Sequence, residues 1–479
     1  MELLWIVPGV LVILLAVAFI RTFLIKAPKY TERALEFPQE ELDSYGEKLG
    51  DMIRIPTVSK KEEEDLSQFY AYHKELERLF PNVHKTLDLT VLQGTLLYRW
   101  HGTNRERRPI LLMGHQDVVP ASNAGWKVPA YSGTVLDGKV YGRGALDCKS
   151  TMFTQLQAVE ELIQSGFEPG CDIYLEYAIN EETGGVGAKN AMEYLRDQGI
   201  TLALVLDEGG AVIDKAVDGM DRPYAVVGVT EKGYMDLKIT AQGKGGHSST
   251  PPRNTPAARL FAFANEIEKK RPFQKKMLPE TIKMLARMAP AFPFGLRFIL
   301  GNLWLFRPLV KVLMPAVSPF GEAIMATTCC FTMMQGSDAA NVIPKEPYLV
   351  ANLRTTSFQG CDASLALLRK YADKYDLKIE VLLRRDASPI SNIHSAEYAY
   401  VESCIREKFP GVGVTPYIIM GGTDCRHFHA LSENALRFSP VPMSSAQSAS
   451  CHAVDENVDL TALCEGVHFY KFFIQNYKL

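Results

Sequence analysis

Short apolar runs alternate with helix-like segments in the first half of the chain, and this alternation constrains the fold more than any other feature. Residues 110–114, 173–179 and 202–206 have the length and apolar character of buried strands. Between the first two, the apolar residues of 150–165 recur at helical spacing until Gly166. This β-α-β-α-β order predicts an α/β fold, a mostly parallel sheet with helices on both faces.

The pattern changes near Gly233, which predicts a second domain. The segments that follow are an alternating strand at 234–240, a glycine-rich loop at 243–246, a helix at 256–270, strands near 327–334 and 348–355, a helix at 364–375 and a strand at 378–383. A chain of 479 residues is also too long for one ordinary core. We predict an inserted α+β lid or dimerisation domain at 233–388, between two parts of a catalytic domain at 27–232 and 389–479.

The N-terminus carries an uninterrupted apolar segment. Residues 3–20 contain no charge and reach the roughly 18 residues that a membrane span needs. Glu2 stands where a signal peptide usually has a basic residue. This favours an uncleaved single-pass anchor at residues 1–26. A cleaved signal peptide, with its site at 16–18, is the alternative. Basic residues after the span, such as Lys26, favour the cytoplasmic side for the body of the protein.

The charge distribution gives no support for nucleic-acid binding. The formal net charge is −3, and basic runs such as 105–108 are typical of solvated surfaces. Hydrophobic residues at 47% indicate a globular protein with a substantial core. We therefore expect no nucleic-acid partner.

Side chains that bind metals follow the predicted strands and one glycine-rich turn. They are His115 and Asp117, Asp147, Glu181 and Glu182, and Asp207 and Glu208. Each alone has a simpler explanation, such as a packed histidine, an exposed acidic turn or a helix N-cap. Together they predict a metal site, because the carboxyl ends of parallel strands meet at one edge of a sheet. One imidazole with several carboxylates suits zinc, with manganese or cobalt as substitutes, and carboxylates can bridge two ions.

The sequences around these residues resemble the aminoacylase, acetylornithine deacetylase and glutamate carboxypeptidase family of dinuclear zinc enzymes. The resemblance rests on Gly-His-Gln-Asp-Val-Val-Pro (114–120), Gly-Arg-Gly-Ala-Leu-Asp-Cys-Lys (142–149), Asn-Glu-Glu-Thr-Gly-Gly (180–185) and Leu-Asp-Glu-Gly-Gly (206–210). It runs from about Arg54 to the C-terminus. Three further motifs are similar to the branch that holds Gly-Xaa carboxypeptidase and N-fatty-acyl-amino-acid synthase/hydrolase, namely Gly-His-Ser-Ser-Thr-Pro-Pro (246–252), Asn-Val-Ile-Pro (341–344) and Gly-Gly-Thr-Asp-Cys-Arg (421–426).

The resemblance implies two zinc ions and a role for each matching residue. Asp147 would bridge the ions, with His115 and Asp207 completing one site and Glu182 and His452 the other; Glu181 would be the general base, and Asp117 would orient His115. Ala453 and Asp455, after the late histidine, depart from the family's usual Gly and Asn. By spacing alone, His427 and His429 would be the first choice for a further ligand.

The resemblance also implies how the substrate is held. His247, from the partner subunit of a homodimer, would stabilise the oxyanion, although it also fits an ordinary exposed loop histidine. Arg354 would bind a substrate carboxylate, assisted by Asn341 and by the backbone of Gly422 and Thr423. The implied reaction is cleavage, or reversible formation, of an amide bond next to a free carboxylate. The family resemblance favours the lumenal or extracellular side of the membrane.

Residues 284–321 form an apolar and basic segment without any acidic residue. Its prolines and glycines exclude one continuous spanning helix. The segment is either a packed helical lid or a surface that lies on a membrane or receives an acyl chain. Together with the predicted anchor, it favours N-acyl amino acids with long acyl chains as substrates. The alternatives are a Gly-Xaa-type carboxypeptidase or dipeptidase, and a non-catalytic binding or scaffold protein on the same fold.

Overall fold

The computed structural model describes residues 3–26, 30, 36–60 and 65–479 of the chain. Its helices are α1 (Leu3–Leu24), α2 (Gln39–Arg54), α3 (Ser67–Leu79), α4 (Pro81–Thr86), α5 (Lys149–Gln164), α6 (Gly187–Asp197), α7 (Pro256–Lys270), α8 (Pro279–Met288), α9 (Phe294–Leu300), α10 (Leu303–Val317), α11 (Pro319–Ala323), α12 (Cys361–Asp373), α13 (Ala396–Lys408), α14 (Cys425–Phe428), α15 (Ser445–Ser450) and α16 (Leu460–Asn476). Its strands are β1 (Asp88–Leu92), β2 (Thr95–Trp100), β3 (Ile110–His115), β4 (Thr134–Leu136), β5 (Lys139–Tyr141), β6 (Ile173–Ala178), β7 (Leu204–Asp207), β8 (Val212–Ile213), β9 (Tyr224–Glu231), β10 (Gly233–Ala241), β11 (Gly246–His247), β12 (Thr328–Gln335), β13 (Val342–Ile343), β14 (Tyr348–Thr355), β15 (Leu377–Arg385), β16 (Gly413–Ile419), β17 (Ala435–Arg437) and β18 (Asn457–Asp459). The predicted start of the catalytic domain, at residue 27, lies outside the described residues.

The large sheet has the strand order β1-β2-β6-β3-β7-β17-β9-β16, with β8 beside β9. The pairs β6–β3, β3–β7, β7–β17 and β9–β16 are parallel. Every residue of β3, β6 and β7 is buried, because a sheet covered on both faces needs apolar side chains on both. This arrangement confirms the predicted mostly parallel sheet. The antiparallel hairpin β1–β2 at one edge was not predicted.

Helices cover both faces of the large sheet, as predicted. Helices α2, α5 and α16 pack against one another over one face, and α6 and α14 lie against strands of the other. Alternate residues of β3 show the two sides: Ile110 and Leu112 join the core under α5 and α16, and Leu111 and Met113 join the core under α6. Because successive side chains of a strand point to opposite faces of the sheet, the single apolar strand β3 contributes to the core on each face.

The predicted α+β insert contains a four-stranded antiparallel sheet with the order β12-β14-β10-β15. Helices α7 and α12 cover one face of this sheet, and the core between them includes Leu237, Leu260, Leu353 and Leu368. Along β10 the side chains alternate between buried and half-buried, as expected for a sheet covered on one side only. The short strands β11 and β13 pair separately.

Helices α8 to α11 pack against the large sheet rather than the small one. Met284 and Met288 of α8 share a core cluster with Tyr224 and Val226 of β9. Helices α9 and α10 meet at an angle of 105°, so the segment between residues 294 and 317 is bent rather than continuous. The region predicted as one insert thus has two parts with different packing partners.

Helix α1 is long and apolar enough to cross a membrane. Its stretch Val7–Leu24 has a mean hydropathy of 2.4, and 11% of it is buried inside the protein. A signal sequence near an N-terminus has the same length and composition. Ala18 and Thr22, in the last turns of the helix, are buried against the α9–α10 segment.

Candidate metal centre

Asp147 lies between two histidines at the carboxyl edge of the large sheet. Its Oδ1 is 3.0 Å from Nε2 of His115, and its Oδ2 is 3.1 Å from Nε2 of His452. The same nitrogen of His452 is 3.1 Å from Oε2 of Glu182. One oxygen of Asp147 therefore faces His115, and the other faces His452 beside Glu182. A carboxylate that bridges two metal ions requires this arrangement.

Glu456 fixes the loop that carries Asp147. This fully buried carboxylate accepts hydrogen bonds from the backbone amides of Gly144, Leu146 and Asp147 at 2.8 to 3.0 Å. It also pairs with the guanidinium of Arg143 at 2.6 Å. A buried charge with this many partners holds its loop in one conformation. The sequence did not point to Glu456, although it ends the segment Ala-Val-Asp-Glu (453–456) directly after His452.

Asp117 is fully buried and connects His115 to the loop of the paired glutamates. Its carboxylate accepts hydrogen bonds from the backbone amides of Glu181 and Glu182, both at 3.1 Å, and from the hydroxyl of Ser59 at 2.6 Å. Its Oδ1 is 3.4 Å from Nδ1 of His115, whereas its backbone carbonyl is 2.9 Å from the same nitrogen. Asp117 thus positions both the imidazole and the two glutamates.

Glu181 lies deep in the site, beside several other carboxylates. Burial raises the pKa of Glu181, the nearby His115 lowers it, and Asp424 and Asp117 raise it further. A carboxyl group with a raised pKa holds a proton more readily than an ordinary carboxylate, as a general acid and base must. This property suits the role predicted for Glu181 from its motif.

The neighbouring acids Asp207 and Glu208 face different surroundings. The carboxylate of Asp207 accepts backbone hydrogen bonds from Glu208 and Cys425, at 2.8 and 2.9 Å. Glu208 lines the same pocket as Asp147, and burial together with the charge of Asp147 raises its pKa. Of these two acids, the family resemblance implied only Asp207 as a metal ligand. The position of Glu208 makes it a second candidate for the same role.

Cys148 packs beneath the site. The side chain is almost fully buried, and its sulfur accepts the backbone N–H of His115 at 3.0 Å. Burial raises the pKa of the thiol, which favours the protonated form. These contacts are those of a small buried residue more than of a thiolate ligand.

His427 and His429, the alternative to His452 by spacing, lie away from Asp147. Burial and positive neighbours lower the pKa of His427 to about 4 and that of His429 to about 3. His429 lies 3.5 Å from the guanidinium of Arg437. Among the described residues, two groups of side chains could hold a metal ion: His115, Asp147 and Cys148, and Asp147, Glu182 and His452. His452 is thus the late histidine that lies at the site.

A row of cationic and aromatic side chains crosses the small sheet toward Glu181. Cross-strand pairing places Arg354 on one side of Tyr234 and Arg385 on the other. The guanidinium carbons lie 4.5 and 5.4 Å from the centre of the Tyr234 ring. Burial lowers the pKa of Arg385 and Arg426 lowers it further, while the opposite charge of Glu181 raises it. Arg385 was not predicted from the sequence.

Gly422 and Thr423 belong to a buried polar network behind this row. The hydroxyl of Thr423 donates to Glu231 at 3.0 Å, and Glu231 pairs with the fully buried Arg437 at 2.6 Å. A side-chain carbon at Gly422 would lie 2.9 Å from the guanidinium of Arg426. Gly422 and Thr423 are therefore held against Arg426 and Glu231.

His247 and Asn341 lie together at an exposed tip of the small domain. The amide of Ser248 donates to the carbonyl of Asn341 at 3.0 Å, and β11 pairs with β13 next to it. Within the described part of the chain, Nδ1 of the His247 ring hydrogen-bonds to the hydroxyl and the backbone amide of Ser249. The structure thus brings His247 and Asn341 together without bringing them to Asp147 in the same chain.

The donor set at Asp147 fits a pair of divalent metal ions. The two imidazoles of His115 and His452 and the carboxylates of Asp147 and Glu182 are ligand types that zinc, manganese and cobalt share, and the thiol of Cys148 lies within reach of the first group. Hydrogen bonds hold the His115 ring and the backbone of Asp147 and Glu182, as is common around metal ligands.

The comparisons with known proteins agree with this geometry. The chain belongs to peptidase family M20/M25/M40, whose profile matches residues 111–476. It is 34% identical to the N-fatty-acyl-amino acid synthase/hydrolase PM20D1 of Xenopus tropicalis, over 97% of this chain and 93% of that protein. It is 32% identical to the probable carboxypeptidase S-like 2 of Dictyostelium discoideum, over 90% of this chain and 84% of that protein.

A solved structure shows the same fold. The M20 family metallo-carboxypeptidase Sso-CP2 from Sulfolobus solfataricus superposes with a TM-score of 0.65 at 17% identity, over 91% of this chain and 99% of that one. The predicted family and fold are therefore confirmed, and the chain is an enzyme of the metallopeptidase and amidohydrolase class.

Proposed function

We propose that the chain is a dinuclear zinc hydrolase that cleaves, or reversibly forms, the amide bond of N-acyl amino acids with a free carboxylate and a long acyl chain. The observation that carries the proposal is the position of Asp147 between His115 and His452, with Glu181 beside it. One ion would be held by His115, Asp147 and an acid of the Asp207–Glu208 pair. The other would be held by Asp147, Glu182 and His452.

The protein's own groups account for the proton transfers. When bound, two zinc ions would polarise the amide carbonyl and lower the pKa of a water molecule. Glu181 takes a proton from the attacking water and gives it to the leaving nitrogen, a task suited to its raised pKa. Asp117 holds the Glu181 backbone in place through the 3.1 Å hydrogen bond, so the base does not drift from the site.

Two guanidinium groups support recognition of the substrate carboxylate. Arg354 and Arg385 flank Tyr234, whose ring holds both by cation–π contacts. Among the described residues, Nε of Arg385 has no hydrogen-bond partner although it is buried, so it offers a donor to a bound anion. We assign carboxylate binding to this pair, with the Gly422–Thr423 backbone beside it.

A large apolar cavity supports the choice of a long acyl chain. It has a volume of about 330 Å³ and is lined by Met288, Phe292, Leu313 and other apolar residues of α8 to α11. Ile213 lines the pocket at Asp147 and also packs against the cluster that contains Met288 and Phe292. We propose that the acyl chain passes Ile213 to reach the cavity, which suits a hydrocarbon chain attached to a reacting amide.

We expect catalytic efficiency to rise steeply with acyl length. Each methylene that leaves water contributes about 0.8 kcal/mol, so four methylenes raise affinity by roughly 10²-fold. Leu313→Trp should fill part of the cavity and flatten this rise, while acetyl substrates react as before. The measurement is kcat/KM over an acetyl-to-palmitoyl series of one amino acid.

The neighbouring variant Val312→Trp is the matched control, because Val312 is exposed and does not line the cavity. It should keep the full dependence on chain length. Equal efficiency on acetyl and long-chain substrates by the unmodified chain would favour the second candidate, a Gly-Xaa-type carboxypeptidase. That candidate is favoured by the similarity to the carboxypeptidase S-like protein and uses the same metal and arginine residues.

A homodimer formed through the small domain would complete the site with His247 of the partner. The outer strands of the small sheet, β12 and β15, leave Met333, Met334 and Leu382 exposed. Unpaired edge strands with apolar side chains are typical of surfaces that another chain covers. His247 is exposed, so a partner's site can reach it.

Mixing two inactive variants tests this arrangement. Glu181→Gln and His247→Ala, allowed to exchange subunits, should recover about one quarter of the wild-type activity, because half of the dimers are mixed and each carries one complete site. As a control, Glu181→Gln mixed with Asp117→Ala should recover nothing, since both residues serve the same subunit's site. No recovery in a sample that contains mixed dimers would remove the role of His247.

We also propose that α1 remains as a membrane anchor. Its 18-residue apolar stretch would be about 27 Å long as a helix, close to the thickness of a bilayer core. Its side chains outside the contact with α9–α10 are mostly exposed, so a lipid environment would cover them.

A further inference from the structure

We propose that α9 and α10 form a second membrane-contacting element, which lies in the surface of the same bilayer that α1 crosses. The proposal rests on α1 spanning a membrane and is independent of the enzyme activity. It concerns the outer face of the α9–α10 segment, which is defined here as residues 294–317. The inner face of this segment packs into the protein through Leu303, Val310 and Pro315.

A buried asparagine fixes the α9–α10 segment to the last turns of α1. The side-chain amide of Asn302 donates to the carbonyl of Ala18 at 3.1 Å and to the hydroxyl of Thr22 at 3.0 Å. Asn302 and Ala18 are fully buried, and Thr22 nearly so. The buried amide of Asn302 keeps its hydrogen bonds only if α1 and the α9–α10 segment stay in this relative position.

Apolar packing extends the contact on both sides of Asn302. Phe294 lies 5.8 Å from Phe19 and 5.5 Å from Phe23 by ring centres, yet remains 45% exposed. At the turn between α9 and α10, a side-chain carbon on Gly301 would lie 2.2 Å from Ile25, so a larger residue would displace the Ile25 side chain. The segment and the helix therefore pack as one unit.

The height of this contact along α1 coincides with the membrane surface. If the stretch Val7–Leu24 crosses the hydrocarbon core, the bilayer ends close to Arg21 and Leu24. The α9–α10 segment packs on the turn from Ala18 to Ile25 and so lies at that level. An element held there meets the boundary between acyl chains and headgroups.

The outer face of the segment is apolar and not covered by the described part of the chain. Its exposed large hydrophobic side chains are Phe294, Leu296, Trp304, Leu309, Val312, Leu313 and Val317, at 45 to 78% exposure. Four of them, Leu296, Leu309, Leu313 and Val317, also line the cavity proposed for the acyl chain, so that cavity lies on the same face. A soluble lid would not need such a surface, and a monomeric soluble protein rarely presents one. Contact with lipid would remove it from water.

Basic residues flank this apolar face where lipid phosphates would lie. Arg307 and Lys311 are exposed one turn apart on α10, and the segment contains no acidic residue. The guanidinium of Arg21 on α1 lies 6.0 Å from the Trp304 ring, which joins the two elements at their polar edge. Tryptophan with arginine and lysine is the typical composition of a membrane interface. The geometry points to a bilayer with anionic lipids.

Fluorescence quenching of Trp304 tests the proposal on the full chain. The protein is reconstituted in phosphatidylcholine and phosphatidylserine vesicles whose acyl chains are brominated or unmodified, in a Trp5→Phe background that removes the tryptophan within α1. The Trp304 signal is the difference between this chain and the same chain with Trp304→Phe. Brominated lipids should reduce that signal at least about twofold, and acrylamide in the water should have little effect.

Two further reporters keep the test sound if Trp304→Phe perturbs the fold. Val312→Trp in the Trp5→Phe background, with Trp304 kept, places a further tryptophan on the same face. Its signal is the difference from the Trp5→Phe chain and should respond in the same way. Phe261→Trp is the matched control, because Phe261 is similarly exposed but lies on α7 of the small domain; it should respond to acrylamide and not to bromine.

Three results would overturn the proposal. Quenching of Trp304 by acrylamide but not by bromine would show that the face is in water. Protection from both quenchers would show that protein covers it. Failure of the chain to float with the vesicles would show that α1 does not anchor it. None of these outcomes depends on catalysis, so the proposed enzyme function is judged separately.

Discussion

Asp147→Ala is expected to remove both metal ions and to abolish turnover. The carboxylate of Asp147 faces His115 at 3.0 Å and His452 at 3.1 Å, so its loss takes a ligand from each site at once. Elemental analysis should find about two zinc ions per wild-type chain and close to none in the variant. Two ions retained by Asp147→Ala would show that Asp147 is not the bridge.

The same measurement separates the two adjacent acids. Asp207→Asn and Glu208→Gln change one carboxylate each, and replacement of the true ligand should lower the zinc content from about two ions to about one. The other variant should keep its metal, although Asp207→Asn retains only one acceptor oxygen for the two amides of Glu208 and Cys425.

Glu181→Gln is expected to lower turnover by roughly 10²- to 10⁴-fold with little change in metal content. Glutamine keeps the size of the side chain but cannot accept a proton from water. The backbone hydrogen bond from residue 181 to Asp117 does not depend on the side chain, so the loop should keep its position. The measurement is kcat on an N-acyl amino acid, together with zinc per chain.

The neighbour of the base provides the control for this experiment. Glu182→Gln removes a proposed ligand rather than the base, so it should lose zinc as well as activity. Full activity of Glu181→Gln would rule out Glu181 as the base. A simultaneous loss of metal in Glu181→Gln would instead assign that residue to metal binding.

The sequence predicted the elements whose pattern is local. Strands β3, β6 and β7 are short and mostly apolar, and the polar residues after β3 and β6 meet at one edge of a parallel sheet. His115 and Glu182 could therefore be placed together from the sequence, with Asp147 on the nearby glycine-rich turn. Helix α16, at residues 460–476, is another such element, because apolar residues recur along its whole length.

Residues that act through tertiary contacts could not be found in this way. Arg385 faces Glu181 only because β15 pairs with β10 in one particular register. Glu456 and Arg437 are charged residues whose burial depends on partners far away in the chain. For the α9–α10 segment, the prolines indicated a break, but the contact with α1 depends on the packing of Asn302.

Mass spectrometry of reaction products tests the central proposal most directly. The purified chain, loaded with zinc, would be given a mixture of long-chain N-acyl amino acids, acetyl amino acids and dipeptides. We predict equal amounts of fatty acid and amino acid from the long-chain substrates, and none from the same mixture with Glu181→Gln. Preferential cleavage of the dipeptides, or no product from a chain that holds two zinc ions, would contradict the proposed function.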